Sequence, residues 1–156
     1  MILAVIDNAK TDENSLIRAV ADIEEITDVH YMTIDESFDK LAIFSPDEPV
    51  VSPDIVLVNF AAHTNAFEIA LAIKCDEKYL DTVIIGFNVP KEHDLKHTLL
   101  ETGCFDYIKD FTDETEIFAR LRSAASHREE IISRHIRETE IEESNKKLQD
   151  IVNKKI

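Results

Sequence analysis

Five short apolar runs alternate with amphipathic segments along the first 110 residues, and this alternation limits the folds available to the chain. The runs cover 2–6, 29–34, 53–60, 82–87 and 104–108. The third contains the sequence IVLVN and lacks a polar face, which predicts a strand buried on both sides. Strict alternation with helices predicts an α/β fold with a parallel sheet. Right-handed crossovers then favour the flavodoxin-like (βα)5 arrangement, with strand order 2-1-3-4-5.

Helical spacing of three and four predicts which side chains face the core. Thr11 or Asp12 is a candidate cap of the first helix, and Asn65 with Glu68 has capping-box character before the third. Gly103 is expected to end a fourth helix over 91–102. The expected inward residues are Leu16, Ile17, Val20 and Ile23 in the first helix, Phe38, Leu41 and Ala42 in a second over 35–44, and Phe67, Ile69, Leu71, Ala72 and Ile73 in the third.

Charge and composition exclude several classes of partner. The net charge is −15, and residues 1–111 carry 22 acidic and 8 basic side chains, a balance of −14. Such a surface repels nucleic acid and anionic membranes, so we expect neither as a partner. No apolar run approaches the roughly 20 residues that cross a bilayer. Cys75 and Cys104 match no metal spacing, and we expect free thiols in a reducing cytoplasm.

The final helix extends well past the expected domain. Residues 113–155 contain neither proline nor glycine, and a helix of about 40 residues would be roughly 60 Å long. Ile117, Phe118, Leu121 and Ala125 suit packing on the sheet, whereas Ile141, Leu148 and Ile151 fit a narrow seam. This pattern predicts a division into a domain over 1–120 and an extended, coiled-coil-like helix over 121–156. A homodimer through that helix is expected, with a helix that frays in solution as the alternative.

The carboxyl ends of the first and third strands are the expected functional edge. In the predicted strand order these strands are neighbours at the topological switch point. They end at Asp7-Asn8 and at Asn59. Asn59 can neither ionise nor act as a carboxylate nucleophile. Asp7 alone is too few carboxylates for a dedicated Mg²⁺ site, so we expect no metal cofactor.

Four stretches in order resemble the receiver domain of two-component response regulators. They are ILAVIDN, PDIVLVNF followed by AFEIALAIK, VIIGFN, and LLETGCFDYIKD. The resemblance covers about residues 1–120 and implies the receiver fold. Receiver domains transfer a phosphoryl group to an Asp that ends the third strand, with Mg²⁺ held by an acidic pair after the first. In such proteins an extended helix commonly precedes a diguanylate cyclase, histidine kinase or phosphatase domain.

Carried over position by position, the resemblance implies a degenerate site. Asn59 stands at the acceptor position, and the acidic pair becomes Ile6-Asp7, with Asn8 following. The Thr or Ser position falls on Asn88.

The remaining positions of the resemblance follow the fifth strand. The Lys position falls on Lys109 or Asp110, and Tyr107 matches the aromatic switch residue. His63 lies in a loop that is one residue short. We therefore expect a non-enzymatic pseudo-receiver that is not phosphorylated at residue 59 and regulates an output domain, from which this chain has been separated.

Other assignments stay open from the sequence. A phosphorylatable receiver could use Asp7 or Asp54 as a non-standard acceptor. A neutral pocket around Asn59 and Asn88 could hold a small ligand. Asp7 could instead simply hydrogen-bond its own loop. His93 and His97 have a two-ligand spacing but no placeable third ligand, which favours an exposed polar face.

Overall fold

A computed structural model describes residues 1–8, 14–61, 65–90 and 94–154. Its centre is a five-stranded parallel sheet in the order β2-β1-β3-β4-β5, as the sequence predicted. The strands are β1 (Ile2–Ile6), β2 (Asp28–Met32), β3 (Ile55–Asn59), β4 (Val83–Phe87) and β5 (Asp106–Ile108). Every residue of β3 and β4 is buried, because helices cover both faces of these central strands.

Within the described residues, four α-helices and one 3₁₀ turn connect the strands, and a fifth helix follows β5. The helices are α1 (Asn14–Ala21), α2 (Ile34–Lys40), α3 (Ala66–Cys75), α4 (Leu95–Thr102) and α5 (Glu114–Lys154), and the 3₁₀ turn is Glu77–Tyr79. One buried cluster joins α1 and α5 to the sheet, and a second joins α2 and α3 to its other face.

Local capping explains several helix ends. Gly103 ends α4 in the left-handed conformation with φ of 70°, which confirms the predicted stop. Asp94 caps its start, and Thr33 and Glu36 form a capping box on α2. The predicted capping box at Asn65 is wrong, because its side chain makes no capping hydrogen bond. The proposed caps Thr11 and Asp12 lie outside the described residues.

Three predicted inward residues are exposed. Ile17, Phe38 and Leu71 are 55%, 38% and 47% exposed. Each lies one position away from a buried residue on its helix, and a step of one residue turns the side chain by about 100° around the axis. The buried residues of the two shorter helices are Ser15, Leu16 and Ala19 on α1 and Ile34 and Ser37 on α2, and those of α3 are Ala66, Ile69, Ala70 and Ile73.

The long helix α5 has two different halves. Ile117, Leu121, Ala124 and Ala125 are buried against the sheet, and Phe118 is partly buried, which confirms the predicted packing face. From residue 132 onward every described position is exposed. The division of the chain at residue 120 stays a prediction. None of the helices within the described ranges has the length and apolar character that crossing a membrane requires.

Candidate functional site

The predicted site lies where β1 and β3 end side by side. Ile6 pairs with Val58, so Asp7 and Asn59 follow at the same edge of the sheet, called the carboxyl edge below. Asn59 is 2% exposed. Its Nδ2 donates to Oδ1 of Asp7 at 2.9 Å, and its Oδ1 accepts the backbone N–H of Ala61 at 2.9 Å. The structure therefore brings these two predicted residues into direct contact.

The hydrogen bonds of Asn59 have a clear chemical meaning. The carboxamide donates to a carboxylate on one side and accepts from a backbone amide two residues ahead on the other, as in an Asx turn. A carboxylate at this position could accept from Ala61 but could not donate to Asp7. Without a cation, two carboxylates at this separation would repel each other. An uncharged amide thus lets the pair form in a nearly buried site.

Ile6 and Asn8 take structural places beside Asp7. Ile6 is fully buried in the core cluster formed with α2 and α3, so it lies below the edge and does not line a pocket. Asn8 Oδ1 accepts the backbone N–H of Ile34 at 2.7 Å, which fixes the start of α2. Of the three residues predicted as a degenerate acidic pocket, only Asp7 supplies a carboxylate.

Asn88 begins the loop after β4. The residue before it, Phe87, pairs with Asn59, and Phe87 O accepts the backbone N–H of Phe60 at 3.0 Å. Asn88 has a positive φ of 54°, a conformation that Asn tolerates better than most residues. Its backbone conformation gives a local reason for Asn at the position where the resemblance places Thr or Ser.

Lys109 and Asp110 follow β5 at the same edge. The Lys109 backbone N–H donates to Oε1 of Glu116 at 2.5 Å, which joins the end of β5 to α5. Asp110 Oδ1 accepts the backbone N–H and the hydroxyl of Thr112 at 2.9 and 2.5 Å. These hydrogen bonds lower the pKa of Asp110 below its usual value, and the bond from the Thr112 hydroxyl contributes most. Asp110 therefore builds the turn before α5.

Aromatic rings support the carboxyl edge from within. Phe60 stacks on Phe67 with ring centroids 4.8 Å apart, and Phe87 stacks on Phe111 at 4.1 Å. A Cβ atom on Gly86 would lie 2.1 Å from Cε2 of Phe60, so only glycine fits beneath this ring. Sequence reasoning missed this packing.

Tyr107 and the histidines give little support to a second site. Tyr107 is a half-buried residue of β5, which suits either a strand aromatic or a switch residue. His63 and His93 lie outside the described residues. His97 pairs with Glu101 at 2.9 Å on the exposed face of α4. Within the described ranges, no group of three or more His, Cys, Asp or Glu side chains could hold a metal ion.

Asp54 lies at the opposite edge of the sheet, here called the amino edge. Its Oδ2 accepts the backbone N–H of Ile2 at 2.9 Å, and its Oδ1 is 3.1 Å from Nε of Arg128 on α5. Arg128 Nη1 also donates to the backbone oxygen of Asp81 at 3.2 Å, and His135 Nε2 is 2.8 Å from Asp81 Oδ2. The structure thus separates Asp54 from Asp7 and Asn59 and engages it in holding α5.

A groove of about 460 Å³ lies between α3 and α4. Phe67, Leu71 and Thr98 are among its lining residues, and neither Asn59 nor Asn88 lines it. A small-ligand pocket around those two asparagines stays a prediction.

The five-stranded parallel sheet in the order 2-1-3-4-5 is the fold of receiver domains. Solved structures with the same fold include a response regulator from Thermotoga maritima, with 17% identity and a TM-score of 0.63 over 80% of this chain and 97% of that one. A signal receiver domain of a DNA binding response regulator (merR) from Colwellia psychrerythraea 34H matches with 13% identity and a TM-score of 0.64, over 81% and 98% of the two chains.

The chemotaxis response regulator CheY4 of Vibrio cholerae is similar as well, with 12% identity and a TM-score of 0.61 over 79% of this chain and 97% of that one. At these identities the likeness establishes the receiver fold. No protein-family model matches the chain, and no curated protein matches it either.

Proposed function

We propose that this chain is a receiver-type module of two-component signalling that is not phosphorylated at residue 59 and is not an enzyme. The observation that carries the proposal is the 2.9 Å hydrogen bond from Asn59 Nδ2 to Asp7 Oδ1. An amide nitrogen is a very poor nucleophile for phosphoryl transfer, which needs a carboxylate at this position. The bond also gives the carboxylate of Asp7 a partner without a metal ion.

The proposal includes no Mg²⁺ cofactor. Mg²⁺ requires near-octahedral oxygen ligation, usually with carboxylates among its ligands. At the carboxyl edge Asn8 is engaged with Ile34, Ile6 is in the core, and Asp110 accepts from Thr112. The carboxylate of Asp7 contacts Asn59, and one carboxylate is fewer than a dedicated Mg²⁺ site usually has.

The output of the module is proposed to be α5. This helix runs for 41 residues, and its first part packs on the sheet while its last part is exposed. We propose that it forms a homodimer and transmits a change in helix crossing or register to an output domain, such as a diguanylate cyclase, histidine kinase or phosphatase. Nucleic acid and membrane surfaces are not partners in this proposal, and the free thiols Cys75 and Cys104 are consistent with the cytoplasm.

The experiment is incubation of the chain with a small phosphodonor and Mg²⁺, followed by intact-mass measurement. The expected result is no added phosphoryl group. A hydroxylamine-labile phosphoryl adduct would overturn the proposal. Repeating the measurement with Asp7→Asn and Asp54→Asn separates the two candidate acceptors, because only the variant lacking the true acceptor loses the adduct.

A further inference from the structure

The exposed half of α5 carries an apolar stripe that begins where the helix leaves the domain. Ile141, Leu148 and Val152 are each more than half exposed. Together with Asn145 they follow a spacing of four, three and four, which is the alternation of d and a positions in a heptad repeat. Glu138 occupies the preceding a position, where two like charges would repel, so the stripe starts at Ile141.

This stripe points away from the domain to which the helix is attached. A helix turns by about 100° per residue, so Ile117, Leu121 and Arg128 lie within about 40° of the direction of His135. All four of these residues are buried against or bonded to the domain.

Counted from His135 in the same way, the stripe lies on another side of the helix. Ile141, Leu148 and Val152 fall at about 240°, 220° and 260° around the axis. With Asn145 at about 280°, the stripe is centred near 250°, which is roughly 125° of rotation from the centre of the four domain-facing residues. A helix bound to this stripe would not compete with the domain for the same face.

The side chains along the stripe suit a second copy of the same helix in parallel. In that arrangement Asn145 meets its own counterpart, and a single polar Asn at an a position specifies register. Arg137 at a g position faces Glu142 at the e position of the next heptad in the other copy, which is a pairing of opposite charges. An antiparallel pair would place Asn145 against leucine or isoleucine, leaving its amide without a partner.

We infer that the chain forms a parallel, in-register dimer through Ile141, Asn145, Leu148 and Val152, with the two domains on the outer sides and not in contact. This inference rests on the proposed role of α5 as a dimerising output helix and adds its geometry. The layers then follow the order α3, sheet, α5, partner α5, partner sheet and partner α3. With about 10 Å between layers, the two α3 helices lie on the order of 50 Å apart.

Two spin labels on the 156-residue chain test this order. Cys75 on α3 is exposed and can be labelled after Cys104→Ala, whereas Asp150→Cys in a Cys75→Ser, Cys104→Ala background labels α5. We expect a distance on the order of 50 Å between the two Cys75 labels and one on the order of 20 Å between the two labels at 150. Light scattering at tens of micromolar is expected to give a dimer.

The outcomes separate this inference from the function on which it rests. A dimer with close labels at 150 and Cys75 labels nearer than about 30 Å would overturn the outward placement but leave the dimerising helix intact. A dimer with distant labels at 150 would overturn the stripe as the interface. A monomer would overturn both.

A pair of double variants tests the interface itself. Ile141→Lys with Leu148→Lys should abolish the dimer, whereas Glu143→Lys with Asp150→Lys, on the outer face of the helix, should preserve it.

Discussion

The two edges of the sheet use carboxylates in different ways. At the carboxyl edge Asp7 accepts from the neutral amide of Asn59. At the amino edge Asp54 is paired with the guanidinium of Arg128 and also accepts the backbone N–H of Ile2. A neutral amide therefore contacts Asp7 at one edge, whereas at the other an ion pair holds α5 to the start of β3.

This difference suggests where the chain tolerates change. The carboxyl edge combines close packing of aromatic rings with a hydrogen bond from a neutral amide to Asp7. The amino edge depends on opposite charges that join α5 to the starts of β1, β3 and β4. Substitutions that alter volume should therefore act most strongly at the first edge, and substitutions that alter charge at the second.

The largest expected effect is that of Gly86→Ala at the carboxyl edge. The new Cβ would lie 2.1 Å from Cε2 and 2.7 Å from Cδ2 of Phe60, a ring that is 2% exposed and cannot swing into solvent. Overpacking of a filled core costs about 3 kcal/mol at the upper end of its usual range. Urea denaturation monitored by circular dichroism measures the loss.

A double variant shows whether the ring is the cause. Phe60→Leu removes the atoms that the new methyl group would meet, so the double variant with Gly86→Ala should lose less stability than the sum of the two single losses. Strict additivity would contradict the packing explanation for Gly86.

Arg128→Ala is expected to have the next largest effect, at the amino edge. It removes the partner of Asp54, and both side chains are only about one-fifth exposed. Leaving a partly buried carboxylate with less compensation should cost about 2 kcal/mol. The matched change Arg122→Ala, on an exposed position of the same helix, should change the free energy of unfolding by less than about 0.5 kcal/mol. Equal effects of the two variants would argue against a specific contact.

The sequence predicted the sheet well because the strands carry strong local signals. Their apolar runs, the turn residues between them and right-handed crossovers left few strand orders, and the common one, 2-1-3-4-5, is the observed order. That order also predicted that Asp7 and Asn59 share an edge. The end of α4 at Gly103 and the length of α5 were predictable for a similar reason, because glycine and proline are the main signals that end helices.

The contacts at the amino edge could not be predicted from local sequence signals. Arg128 is 74 residues from Asp54 in sequence, and nothing local to either residue specifies the other. The exact inward positions of α1 and α3 also depended on where each helix begins and on its rotation against the sheet. Ile17 and Leu71 fit the periodic pattern but lie beside the buried stripe. Tertiary packing decided these residues, and periodicity alone did not.

Asn59→Asp adds a negative charge at the carboxyl edge. It places a second carboxylate against Asp7, where the present Nδ2–Oδ1 distance is 2.9 Å. Repulsion raises the pKa of the pair, so the folded state binds more protons than the unfolded state. Stability should therefore fall as pH rises above about 4, by about 1.5 kcal/mol at pH 7.

Thermal denaturation of the variant at pH 5 and pH 8 measures this dependence. The control is Asn59→Ala, which removes the amide without adding charge and should lose similar stability at both pH values. Recovery of the Asp variant by millimolar Mg²⁺ would indicate that a second carboxylate suffices for a metal site. The absence of recovery is expected, since Asn8 and Asp110 are engaged elsewhere.

The smallest expected effect is that of Tyr79→Phe, close to the amino edge. The Tyr79 hydroxyl donates to the backbone oxygen of Leu41 at 2.5 Å, and the side chain is buried. Loss of this hydrogen bond should cost about 1 kcal/mol at pH 7. Burial, with a smaller contribution from the charge of Asp76, raises the pKa of Tyr79 from 10.0 to about 12.

The Tyr79 hydroxyl also makes stability depend on pH, which a loss of packing alone would not do. Between pH 10 and about 12 the folded state keeps the Tyr79 proton while the unfolded state loses it, so the stability of the parent chain falls through this window. Tyr79→Phe removes that contribution, and its deficit relative to the parent chain should shrink as pH rises. Tyr107→Phe, on a half-buried strand residue, should leave the fall in place. A deficit for Tyr79→Phe that stays constant across the window would refute the buried-phenol explanation and leave lost packing as the cause.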